Sequence, residues 1–177
     1  MPNPINSTKA AAFRGYSGVV LLSSKSTTAY VFDDMFSEPG FLLRRAHQLS
    51  TAAFVMEAGS VDITPVQFIT LFAISTRPDT DAASVSELVA FDRTTIGQVL
   101  FRLENKGLIM RRSGEEDRRK KILRVTDEGH VILDRVLSML PKIADNIIGV
   151  LSDEERQTLI GLLQKVIQAP GNARLVR

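Results

Sequence analysis

From Phe41 onward the apolar residues recur at helical spacing. Leu42, Ala46, Leu49, Ala53 and Met56 step by four and three, with Leu43, His47, Ser50 and Phe54 beside them. Together they predict a broad apolar face on a helix of about five turns. Thr64-Pro65-Val66-Gln67 reads as a capping box with Pro at the first helical position, opening a second helix through Ile74. Arg77–Asp81 reads as a polar loop around Pro78. Ser84-Val85-Ser86-Glu87 reads as another capping box, and the helix it opens is short, ending near Ala90. Asp92 reads as the N-cap of a helix Arg93–Lys106, with Gly107 as its left-handed stop. Ile96, Val99, Leu100 and Leu103 form the apolar stripe of that helix.

The rhythm then changes. Leu108–Arg112 and Lys121–Val125 are short β-prone runs joined by the charged, Gly-containing segment Ser113–Lys120, which predicts a hairpin. Thr126 caps a long helix to about Gly149, in which Pro141 is expected to cause a kink or break. Ser152-Asp153-Glu154-Glu155 is a further capping box, opening a last helix that stops before Pro170-Gly171. A short helix, a tight turn, a helix with a polar free face and a charged hairpin make a winged helix-turn-helix. The expected fold is therefore mainly α with a small β-hairpin wing, flanked by further helices at both ends.

Residues 1–37 break the pattern. They are rich in Ser, Thr and Ala, hold Lys9, Arg14 and Lys25, and have no acid before Asp33. Their apolar run Val19–Leu22 is too short for a signal peptide, and a transit peptide fits the composition weakly, so a flexible basic arm or an over-long start is expected. The predicted organisation is this arm, a domain over 38–170 and a tail over 171–177. Within the domain, flanking helices at 38–60 and 127–170 surround a winged lobe at 62–126. No apolar run approaches the roughly 20 residues of a membrane span. A cytoplasmic, nucleoid-associated protein without a membrane partner is expected.

Composition narrows the chemistry. The 177 residues include no Cys, and His47 and His130 are the only imidazoles. Disulfides, thiolate metal sites, a cysteine nucleophile and a thiol redox switch are excluded. A metal site within one chain and a bound cofactor are not expected. No nucleophile–base pair, phosphate-binding Gly loop or carboxylate pair stands out, so catalytic residues are not expected either. Any signal has to be read by non-covalent binding.

Charge adds direction. The net charge is +2, yet from Asp92 to Arg124 ten Lys and Arg stand against five acids, a local +5 that leaves −3 elsewhere. A basic block in a near-neutral chain points to an anionic partner at one place. On the free face of the Arg93–Lys106 helix, Thr94, Thr95 and Gln98 suit base edges in a major groove, and Arg93 and Arg102 suit phosphates. Gly97 between them permits close backbone approach. The alternative is an ordinary solvated helix face. Downstream, Asp117, Arg118, Arg119 and Lys120 lie at the predicted hairpin tip. An Arg there suits the narrow minor groove, with Asp117 orienting Arg119 by a charge-assisted hydrogen bond. A solvated charged turn is the competing reading.

These residues carry a family resemblance. From about Phe41 to Ile167 the chain resembles a MarR-type transcriptional regulator, a winged helix-turn-helix homodimer. The matching segments are LVAFDRTTIGQVLFRLENKGLI (Leu88–Ile109), RRSGEEDRRKKILRVTDEG (Arg111–Gly129) and LSDEERQTLIGLL (Leu151–Leu163). The resemblance implies that Arg93–Lys106 is the recognition helix, that Asp117 and Arg119 form the wing pair, and that the first and last two helices make a dimer interface. It further implies a double-stranded, pseudo-palindromic DNA operator, bound by a repressor that a small aromatic or phenolic acid, or its thioester, releases. Arg44, Arg45, His47, Ser50 and Phe54 on the first helix, with Phe68 and Phe72 on the second, are the implied ligand site. The segments RRAHQ and TTIGQV resemble members that control catabolism of aromatic acids. In the rival view His47 is a satisfied interface histidine and the arginines pair across the dimer. The alternative function is a winged-helix protein-interaction module, for which Phe101 is the apolar candidate on the recognition face.

Overall fold

Side-chain caps start the helices. The Gln67 N–H donates to Thr64 Oγ1 at 3.2 Å while the Thr64 N–H donates to Gln67 Oε1 at 3.1 Å, and Pro65 follows at the first helical position. Ser152 and Glu155 repeat the reciprocal pair. Each such box satisfies two N–H groups that the first turn otherwise leaves unpaired. The computed structural model describes residues 36–77, 79–113 and 121–169. The chain divides into two units, Met1–Phe41 and Leu42–Arg177, and the second carries the fold described below.

The elements in chain order are α1 (Pro39–Ala58), a 3-10 turn (Gly59–Val61), α2 (Pro65–Thr76), α3 (Ala82–Val89) and α4 (Arg93–Asn105). Then follow β1 (Ile109–Ser113), β2 (Lys121–Val125), α5 (Asp127–Ile148) and α6 (Asp153–Gln168). The two strands pair antiparallel, Ile109 opposite Val125 and Ser113 opposite Lys121. Gly107 has φ of 71° just beyond α4, the left-handed stop that its lack of a Cβ allows.

One local expectation is corrected and another is narrowed. Ser84 does not open α3: Asp81 is the N-cap and accepts the Ser84 N–H at 2.8 Å. Asp caps as well as Ser, and starting one turn earlier adds Ala82 and Ala83, both strong helix formers. Nor is α5 broken at Pro141, which lies inside it at an exposed position. There water is free to pair with the Leu137 carbonyl whose usual donor the proline lacks.

One apolar core lies under α1–α5 and the hairpin, with α1 contributing Ala53, Phe54 and Ala58. Leu71, Ile74, Val85, Ile96, Leu100, Leu103, Leu123 and Val136 are its sealed members. The Arg77–Asp81 segment contributes more than a polar loop. Thr80 bridges to Leu123, whose N–H donates to the Thr80 carbonyl at 2.8 Å, so a third short extended piece joins the hairpin.

Thr126 and Gly129 set the hairpin against the end of α4. The Thr126 hydroxyl donates to the Gly107 carbonyl at 2.6 Å and accepts the Gly129 N–H at 3.1 Å, while the Thr126 N–H donates to the Leu108 carbonyl. A Cβ at Gly129 would stand 2.2 Å from the Leu108 oxygen and 2.6 Å from Val125 Cγ1. Only glycine fits there.

Candidate nucleic-acid interface

The three residues Ala90, Phe91 and Asp92 join α3 to α4. Ala90 adopts a left-handed conformation with φ of 55°, which costs an L-residue about 1–2 kcal/mol. Buried Ser86 holds this turn: its hydroxyl donates to the Phe91 carbonyl at 2.6 Å, and its own carbonyl accepts the Phe91 N–H at 3.3 Å. Asp92 then caps α4, taking both the hydroxyl and the N–H of Thr95. Those hydrogen bonds, the hydroxyl first, hold the Asp92 carboxyl below its ordinary value. Thr95 is thereby engaged in the cap and only half exposed.

Arg93, Thr94, Gly97, Gln98 and Arg102 are all exposed on the outer side of α4. Thr94, Gly97, Gln98 and Arg102 line one shallow groove together with Phe101, which is 60% exposed. Among the described residues nothing lies within 4 Å of where a Gly97 Cβ would stand, so no packing among them requires that glycine. Phe101, the apolar candidate that the sequence offered on the recognition face, is exposed there. Its position off the Ile96–Leu103 stripe was the available signal, because a ring there has no core to enter.

The structure splits the basic block in two. Lys106 pairs with Asp62 at 2.9 Å, Arg111 with Glu104 at 3.0 Å and Arg124 with Asp79 at 2.6 Å. Arg93, Arg102 and Arg112 are exposed and have no ion-pair partner among the described residues, and Lys121 meets only the neutral Ser113 hydroxyl, at 3.1 Å. Among the described residues, the Arg93, Arg102 and Arg112 cations on α4 and β1 therefore stay without an ion-pair partner, beside hydrogen-bonding groups and an open backbone. Such a face is suited to a phosphate backbone flanking base edges. Asp117, Arg118, Arg119 and Lys120 lie outside the described residues.

Of the residues taken as a ligand site, three come together. Phe54 and Phe68 lie 5.8 Å apart between ring centroids, and Phe68 and Phe72 6.2 Å apart, so a row of rings joins α1 to α2. Phe54 and Phe68 are buried, and Phe72 is 37% exposed at the outer end. Ser50 is half-buried, whereas Arg44, Arg45 and His47 are exposed; among the described residues neither arginine enters an ion pair. Further along α1, Glu57 ties this helix to α5 through Lys142 at 2.9 Å and Asn146 at 2.8 Å. These two donors, Lys142 the stronger, hold the Glu57 carboxyl below its ordinary value.

The family model described as MarR family matches residues 63–121, from just before α2 to the start of β2. The HTH-type transcriptional repressor NicR of Pseudomonas putida is 32% identical over 140 residues, covering 79% of this chain and 89% of that protein. The chain belongs to the MarR family. Among solved structures, the PcaV regulator of Streptomyces coelicolor in complex with its natural ligand superposes with a TM-score of 0.72 at 29% identity, covering 80% of this chain and 98% of that one. BpsR of Bordetella bronchiseptica, described for regulation of its DNA binding by 6-hydroxynicotinic acid, gives 0.72 at 28% identity over 79% and 98% of the two chains.

This MarR-family protein is accordingly a transcriptional regulator with a winged helix-turn-helix fold, and its family and relatives are regulators, not enzymes. Within the fold, α3 and α4 form the helix-turn-helix and β1 with β2 the wing. The mainly helical architecture read from the sequence is the one observed.

Proposed function

We propose that this regulator is a homodimeric repressor. It binds a pseudo-palindromic double-stranded operator through α4 and the wing, and a small aromatic or phenolic acid, or its thioester, releases it. The observation that carries the DNA reading is the set of exposed arginines, Arg93, Arg102 and Arg112, without an ion pair among the described residues and set around the Thr94–Gln98 face of α4. In this reading Thr94, Gly97 and Gln98 approach bases, Thr95 holds the start of α4, and Arg118, Arg119 and Lys120 contact backbone and minor groove with Asp117 orienting Arg119. The protein acts in the cytoplasm on the nucleoid.

The ligand reading is supported by the row of Phe54, Phe68 and Phe72, which ends at a partly open ring, and by the carboxylic acid named for BpsR. An aromatic ring seated there needs a cation for its carboxylate, the role of Arg44, Arg45 or His47, with Ser50 beside them. Because α2 packs on α4, a ligand preferring a shifted α2 lowers DNA affinity by its differential affinity for the two shapes.

The test is a gel-shift titration on DNA upstream of its own gene, with and without a panel of aromatic acids and their CoA thioesters. Retardation that one panel member abolishes is the expected result. Retardation that none of them changes removes the ligand half of the reading. In the same assay Arg119→Ala weakens binding by about 1–3 kcal/mol, and unchanged retardation removes the wing assignment. Exposed Phe101 favours one rival, a surface for a protein partner, which predicts salt-insensitive and sequence-independent behaviour toward DNA.

A further inference from the structure

Phe101 places an aromatic ring outside the core. It is 60% exposed on α4, outside the stripe of Ile96, Val99, Leu100 and Leu103 that seals the core. One turn earlier, Gly97 leaves a gap with nothing within 4 Å of its missing Cβ. Side chains on a helix lean toward its N-terminus, so the ring borders that gap, and both residues line the same groove with Thr94, Gln98 and Arg102. The result is an apolar notch inside a polar, cationic stripe. From Thr94 to Arg102 the stripe is about 12 Å long at 1.5 Å per residue, close to the width of a B-DNA major groove.

A major groove presents one apolar group, the C5-methyl of thymine. Gln98, beside the notch, has the amide that pairs in bidentate fashion with adenine N6 and N7. We infer that Phe101 is a specificity-determining residue that packs on a thymine methyl at an A·T step of the operator, with the Gly97 gap admitting the methyl and Gln98 reading an adenine beside it. This rests on the DNA-binding reading above. It also gives Phe101 and Gly97 a shared role that neither has inside the chain.

The experiment uses the full chain and a duplex enriched by it from a random-sequence pool. The duplex is then synthesised twice, once with thymidine and once with deoxyuridine, which lacks only the methyl. Wild type is expected to bind the uracil duplex about fourfold more weakly for each methyl that touches the ring, from the transfer free energy of one carbon. Phe101→Ala is expected to bind both duplexes equally, with a thermal melt like that of wild type because the ring is exposed. Phe101→Leu, still apolar, keeps part of the preference. Equal binding of both duplexes by wild type overturns the inference. So does an Ala variant that keeps the full preference, since the methyls then act through DNA stiffness or another residue. Failure to enrich any duplex overturns the DNA-binding reading itself and this inference with it.

Discussion

At the centre of the winged lobe the large side chains are sealed: Leu71, Val85, Ile96, Leu100 and Leu103 are each at most 1% exposed. Along α1 and α6 similar residue types face outward. Leu43 is 50% exposed, Val55 56%, Met56 65%, Leu162 57% and Ile167 72%, and α6 buries no residue at all. Both regions carry helical hydrophobic periodicity, and α1 adds Ala53, Phe54 and Ala58 to the core, yet its other large apolar side chains and those of α6 stay open. Apolar patches beyond a few hundred Å² are rare on monomers and mark places where something else packs. A helix such as α6 draws little stability from its own turns, because tertiary burial supplies most of it. The contrast teaches that the lobe buries its large apolar side chains within the chain while the outer helices leave theirs open, which is the physical basis for proposing a homodimer.

The sharpest way to break that comparison is to charge the outer face. If the proposed homodimer forms through this face, Leu162→Arg with Ile167→Arg is expected to convert it to monomer, weakening association by about a thousandfold or more. Burying each such side chain is worth about 1.5–3 kcal/mol, and two-fold symmetry counts each one twice. Light scattering after size exclusion reads the mass, and an unchanged dimer would show that the interface lies elsewhere.

The lobe is probed by overpacking. Gly129→Ala drives a methyl into the Leu108 carbonyl and Val125, which should cost about 1–3 kcal/mol and lower the melting temperature by several degrees. Association should survive this change. A melting curve identical to wild type would mean that the first turn of α5 shifts freely, and that the hairpin is not locked to α4 through it.

A smaller contrast lies within the basic block. Arg102→Ala should weaken binding to an enriched duplex about tenfold and reduce the salt slope by about one. Arg124→Ala removes a cation already paired with Asp79 and should leave that slope unchanged, with at most about 1 kcal/mol lost in stability. Equal salt slopes for the two variants would erase the division between structural and free arginines.

The smallest effect concerns pH. Asp92 ionises more readily folded than unfolded because Thr95 donates to its carboxylate. A depressed carboxyl stabilises above its unfolded value and loses that contribution as pH falls through the folded one. Starting from the ordinary value of 3.8, the loss lies in the acid limb at and below that pH. Asp92→Asn keeps a capping oxygen and should flatten this limb in thermal melts while changing little at neutral pH. An acid limb as steep as in wild type would assign it to other carboxylates, Glu57 first.

Much of this was legible one turn at a time. Thr64, Asp92, Thr126 and Ser152 cap as their spacing predicts, because a cap joins residues three apart and needs no distant partner. Gly107 stops α4 for the same local reason. Ser84 misled because two residues competent to cap stand three apart, and the difference between Asp81 and Ser84 lies in how much helix each adds. Thr80 looked like loop because its partner, Leu123, is distant in sequence. Gly129 carried no signal of its own, since its need to be glycine arises from Leu108 and Val125. Phe54, Phe68 and Phe72 come together across α1 and α2, whereas nothing in the spacing said that Arg44, Arg45 and His47 would stay exposed.

Sequence by itself determined the order of the elements, the polar face of α4, the +5 block around it and the excess of apolar helix for a lobe of this size. All of these follow from period, caps and charge, which act over a few residues. Tertiary structure alone decided which cations are neutralised. Lys106 meets Asp62 and Arg124 meets Asp79 across 44 and 45 residues of chain. It also left Arg102 and Phe101 side by side on an open face and the sides of α1 and α6 uncovered. Ion pairing and burial depend on which surfaces the fold brings within a few ångströms, and that distance is a property of the packed chain.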